Sequence, residues 1–180
     1  MANVNLTPNG VYSVVDLEKI SAELTGQGIM QDVELDSTDF ATEKLENGQV
    51  VVVKGKTVKN PTASTDKVLL NATACEIYDD YSGRETFAVT RGKGSLPRLF
   101  VLGATDEFST NAVFYDDADF TNLQTLKAAI KAGEVYAIPD ASRDWKLVKS
   151  TGITGAVVYG EVIDYVSLSN DRDGVRIRIA

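Results

Sequence analysis

Leu45-Glu46-Asn47-Gly48-Gln49-Val50-Val51-Val52-Val53-Lys54 is the stretch that decides the fold. Asn-Gly tolerates the positive φ angles that a tight reversal demands. Four valines follow it. Their branched Cβ atoms are stiff and crowd a helix, whereas a pleated strand accommodates them. The stretch therefore reads as a turn feeding a strand. No apolar run is longer than these valines, and a bilayer crossing needs ~20 such residues.

Short strands recur on either side of it. Upstream, residues 29–35 alternate in part and read as a strand. Downstream, residues 55–66 carry Asn60-Pro61 with several Ser and Thr and read as a loop. Strands are expected over 67–78, 85–90, 98–102 and 110–115, with a turn at Asp79-Asp80-Tyr81-Ser82-Gly83. Further strands are expected at 134–138, 145–148 and 156–168, the last as one strand or a hairpin bent at Gly160. Asn170-Asp171-Arg172-Asp173-Gly174 reads as a hairpin turn, and the chain closes on the alternating Val175-Arg176-Ile177-Arg178-Ile179.

Two segments have helical spacing. Val14, Leu17, Ala22 and Leu24, with Ile20, fall three and four apart over residues 14–24, and Gly26 and Gly28 stop them. The clearer helix begins after Thr121, with Gln124 three residues on in a capping-box pattern. Leu123, Leu126 and Ile130 share a face, Lys127 and Lys131 lie opposite, and Gly133 closes it. Many short strands with two helices predict a mainly β, α+β chain. Its expected form is an antiparallel sandwich or barrel-like domain with short α insertions, not βαβ repetition. Residues 1–10 read as an extended N-terminal arm and 11–180 as a single β-rich domain.

Composition narrows the chemistry. Lys plus Arg is 18 and Asp plus Glu is 26, a formal charge of −8. That sign opposes a phosphate-tracking surface and favours a chain that keeps itself soluble. There is no histidine, so neither a Ser–His nor a Cys–His nucleophile is available. The single cysteine, Cys75, allows no intrachain disulfide and lies among small and apolar residues, as a buried core thiol would. The N-terminus lacks a signal-peptide layout, which predicts synthesis in a cytoplasm.

Four groups remain to be weighed. Asp79-Asp80, Asp116-Asp117-Asp119 and Asp171-Asp173, or Glu134 with Glu161, would have to converge for a carboxylate pair to hydrolyse a glycan. The aspartates lie in turn-rich contexts, where Asp bonds its own backbone. Asp171-Arg172-Asp173-Gly174 lacks the later ligands of a calcium loop, because Ala180 stands where a Glu is needed. Arg91-Gly92-Lys93-Gly94-Ser95 breaks the Gly-Lys-Ser order of a phosphate loop, and Arg91, Lys93 and Arg98 read as a solvated basic loop. Tyr12, Tyr78, Tyr81, Tyr115, Tyr136, Tyr159 and Tyr165 read as half-buried strand residues. Trp145 would be an exposed platform in a carbohydrate-binding module. The expectation is no catalytic residue, no cofactor, no metal and no enzyme.

Three stretches resemble phage head proteins of the decoration or cement type: residues 39–51 with their Glu-Asn-Gly opening, residues 133–140, and the terminal strand 173–179. The resemblance implies a β-rich fold in a tailed-bacteriophage virion, on the capsid surface. It also implies binding to the major capsid protein and to copies of itself, often as trimers; the acidic balance and the short apolar runs predict no nucleic-acid or membrane partner. An arm over residues 2–7 would then donate a strand to a neighbour's sheet edge. A tail tube or neck component is the alternative within the same class.

Overall fold

A computed structural model describes residues 3–7, 12–73, 88–89, 96–168 and 172–180, with backbone alone at 3 and 88–89. The first half of the chain gives β1 (Asn3–Asn5), β2 (Val15–Lys19), α1 (Ser21–Thr25), β3 (Ile29–Met30), β4 (Glu34–Leu35), β5 (Leu45–Glu46), β6 (Val50–Lys54), β7 (Thr57–Lys59), β8 (Leu69–Asn71) and β9 (Ala88–Val89). The second half gives β10 (Leu99–Val101), β11 (Glu107–Thr110), β12 (Val113–Asp116), α2 (Leu123–Lys131), β13 (Val135–Pro139), β14 (Trp145–Lys149), a 3-10 turn (Ser150–Ile153), β15 (Gly160–Leu168) and β16 (Arg172–Ile179). The protein is a mainly β, α+β chain.

One sheet has eight strands in the order β1-β12-β14-β13-β15-β16-β11-β2. β11 and β12 are separated only by Asn111 and Ala112, yet they stand second and seventh in that order. Five strand spacings measure about 24 Å. The chain from residue 110 to 113 reaches about 10 Å at most. The sheet is therefore rolled until these positions meet, and its outline is barrel-like. Residues 3–5 and 15–19 then run back along the same bent stretch, pairing with β12 and β11 in turn.

The second sheet has the order β3-β10-β8-β6-β7-β4, and both its faces are buried. Val50, Val52, Leu70 and Phe100 enter the main core with Phe108, Trp145, Leu147, Val162 and Ile177 of the rolled sheet. Val51, Leu69 and Leu99 face the other way, into a second cluster with Val33, Leu35, Phe40, Leu45 and Val58. A strand covered on both sides needs apolar residues at every position, which is why four valines stand in a row.

Several expectations are corrected. Residues 15–19 are strand, not helix, and only Ser21–Thr25 is helical. Val15 and Leu17 also satisfy a period of two, and β11 offers them a ladder. Leu24, which the helical spacing counted as apolar contact, is 77% exposed. Short helices are marginal without tertiary support. Here that support is the buried carboxylate of Asp106, which accepts from Ser21 N and Oγ at 2.9 and 2.6 Å. Residues 55–66 include the strand β7, antiparallel to β6. The second helix is capped by Asn122, not Thr121, with the Thr125 side chain returning the bond. Asp173-Gly174 is not a turn but part of β16, opposite Ser167 and Val166. Gly174 is needed for space: a Cβ there would lie 2.5 Å from Leu168 Cδ1 and 2.8 Å from Thr110 O. The ladders β12–β14 and β4–β7 are parallel, and the others among the described residues are antiparallel.

Candidate functional site

Two regions carry polar chemistry. The first is a buried junction where the two sheets meet. The turn at Asn47-Gly48 sits inside it rather than on the surface, with Asn47, Gln49 and Asn71 all buried. Buried amides need partners, and here they find each other. Asn71 Nδ2 donates to Glu46 O at 2.9 Å and to Asn47 Oδ1 at 3.2 Å, and Asn47 Nδ2 donates to Thr73 O at 2.9 Å. Gly48 holds φ +85°, and an added Cβ would collide with Thr110 Oγ1. Trp145 Nε1 donates to Gly48 O at 3.2 Å, so the indole of the rolled sheet is hydrogen-bonded to the turn of the other.

Asp144 closes this junction. Gln49 Nε2 donates to its Oδ1 at 2.9 Å, while Gln49 Oε1 accepts from Glu46 N at 2.9 Å. Burial pushes the Asp144 carboxyl above the ordinary carboxylate range. Gln49 and Arg143 oppose that rise, and the charges of Glu46 and Asp140 add to it. Arg143 beside it has φ +76°, unusual for a residue with a side chain. Its carbonyl accepts from Val50 N at 2.8 Å. Its guanidinium reaches Glu43 at 2.6 Å and Asn60 at 3.2 Å, and lies 5.2 Å from the centre of the Phe40 ring. The turn between β13 and β14 is thereby tied to the loop that covers the second core.

The second region is the sheet edge formed by the N-terminal strand. Asn3, Val4 and Asn5 pair with Asp116, Tyr115 and Phe114. Leu6 N donates to Val113 O at 3.1 Å, and Thr7 Oγ1 to Asn111 O at 2.6 Å. Val4 and Asn5 remain exposed, so this strand is held largely by main-chain bonds. Residues 12–14 are held by side chains instead. Glu46 accepts from Ser13 N at 2.7 Å, Asn111 Oδ1 from Val14 N at 2.8 Å, and Tyr12 O from Arg172 at 2.6 Å. The segment expected as an arm thus pairs, over residues 3–5, with its own chain.

The singled-out acids that lie among the described residues are spread over several elements. Asp116 is bridged to Lys146 at 2.5 Å, Asp117 is exposed, and Asp173 is exposed on β16. Cys75, Asp79-Asp80, residues 91–95, Tyr78, Tyr81 and Asp171 lie outside the described residues. Glu134 is exposed just before β13, and Glu161 lies opposite Tyr136. Among the described residues no group of three or more acidic or thiol side chains is placed to hold a metal ion. Trp145 is fully buried, 5.5 Å from the Phe108 ring, so it offers no sugar platform. Tyr115 is buried, Tyr12 accepts a hydrogen bond from Lys44, and Tyr165 lies under Lys127 Nζ at 4.0 Å. Asp144 and Arg143 were missed, because nothing in Asp140-Ala141-Ser142-Arg143-Asp144 distinguishes it from a solvated turn. Comparison with protein-family models, curated proteins and solved structures finds no match.

Proposed function

We propose that this chain is a non-enzymatic structural protein of a tailed-bacteriophage virion. In this reading it is a decoration or cement protein that binds the major capsid lattice and copies of itself on the capsid surface. The observation that carries the reading is the N-terminal strand. It is short, exposed at Val4 and Asn5 and bound through its main chain at a sheet edge. Main-chain pairing at an edge is also how one subunit is stitched to the next. A lattice repeats each such contact, so that a modest single-site affinity becomes firm attachment. The resemblance of residues 39–51, 133–140 and 173–179 to head proteins supports the same class, and the acidic balance suits a subunit kept soluble before assembly.

Mixing the purified protein with undecorated heads of its own phage tests this. Stoichiometric co-sedimentation is expected, reduced when residues 2–7 are deleted. Absence of binding would remove the proposal. Hexameric rings or tubes in solution, without head binding, would favour the tail tube or neck alternative.

A further inference from the structure

We propose that Asn47-Gly48 is a site of spontaneous covalent modification, held inert by the fold and set free by unfolding, whose product cannot return to the buried junction. This goes beyond the capsid reading and does not depend on it. The chemistry belongs to the Asn-Gly pair. Once the Gly48 nitrogen gives up its proton to solvent base, its lone pair attacks Asn47 Cγ. A new Cγ–N bond closes a cyclic imide, the Cγ–Nδ2 bond breaks, and Nδ2 leaves as ammonia with a proton from solvent. Water then opens the ring at either carbonyl, leaving aspartate or isoaspartate. Water enters, ammonia departs and nothing is oxidised. Glycine after the asparagine has no Cβ to hinder the approach, so an unfolded chain reacts readily here.

The folded chain opposes each step. Gly48 N donates to Asn71 O at 2.9 Å, which retains the proton that must leave. The Asn47 amide is pinned: Nδ2 donates to Thr73 O at 2.9 Å, and Oδ1 accepts from Thr73 N at 2.8 Å and from Asn71 Nδ2 at 3.2 Å. Its main-chain carbonyl accepts from Ser13 Oγ at 2.8 Å. The residue is buried, so solvent base and water are kept out. Closing the ring would turn Cγ and break the amide's bonds together. The product meets the same partners with the wrong atoms. A carboxylate has no donor for Thr73 O, so two acceptors face each other in a buried place. Isoaspartate adds a methylene to the main chain just before Gly48, which holds φ +85° and whose carbonyl accepts from Trp145 Nε1. Reaction in the unfolded state is therefore one-way, and it retires the chain.

The sequence supplies an internal reference, because Asn9-Gly10 is its other Asn-Gly pair. The full-length chain is incubated at mildly alkaline pH with and without denaturant, and its digested peptides are weighed by mass spectrometry. In denaturant, Asn47 is expected to convert at a rate comparable to that of Asn9. In the folded chain its conversion is expected to be slower by about a thousandfold or more, because the reaction tracks the opened fraction. After denaturant is removed, chains converted at Asn47 are expected to stay in the fraction without native tryptophan emission. Asn47→Asp is expected to lose stability against wild type. Equal Asn47 rates with and without denaturant would overturn the proposal, as would an inert Asn47 in denaturant. Converted chains that refold as completely as unconverted ones, or wild-type stability in Asn47→Asp, would overturn it as well.

Discussion

Gly48 meets two demands that a side chain cannot meet together: a left-handed backbone and contact with Thr110 Oγ1. Gly48→Ala should therefore cost about 1–3 kcal/mol from backbone strain alone, with overpacking added. Denaturant unfolding measures it, and a loss below a few tenths would show that the turn yields. The Asn-Gly pair was legible as a turn because its backbone preference is local. Its burial was not, since that depends on Asn71, Thr73 and Trp145 arriving from distant parts of the chain. Asp144 was illegible for the same reason: its proton affinity comes from burial and from Glu46, nearly a hundred residues away.

At the scale of the element, the β13–β14 turn keeps an arginine where glycine would relax the backbone. A left-handed conformation costs a non-glycine residue roughly 1–2 kcal/mol. Arg143 holds it because its side chain ties Glu43, Asn60 and Phe40 to the turn. Arg143→Ala should destabilise more than Arg143→Gly, since both lose these ties and only the second relieves the backbone. Equal thermal midpoints for the two variants would contradict this. Helix α2 was legible down to its buried Leu126 and Ile130 because a 3.6-residue period suits nothing else. Residues 15–19 were misread because Val15 and Leu17 suit both periods, and the ladder with β11 is invisible locally.

Across the whole molecule, two kinds of carboxylate oppose each other. Asp36 is held below the ordinary range by the backbone N–H groups of Thr38 and Asp39 and by Lys59, and Asp66 by Thr62. Groups with a lowered value stabilise the fold above the unfolded value near 3.8 and lose that contribution as pH falls further. Asp144 has a raised value, so the folded state binds its proton more tightly than the unfolded state. Its effect has the opposite sign: stability declines as pH rises through the folded value. In thermal unfolding across pH, Asp144→Asn should remove the decline that accompanies ionisation of Asp144 and leave the acid loss from Asp36 and Asp66 intact.

By itself the sequence determined a mainly β chain and the helix α2, since β-branched runs, Asn-Gly turns and amphipathic spacing act on neighbouring residues. Only tertiary structure decided that the large sheet rolls up. It also decided that four successive valines serve two cores and that a solvated-looking turn hands an acid to Gln49 at the junction of the sheets. Each of these depends on contacts between residues far apart in the chain, which local preference does not encode.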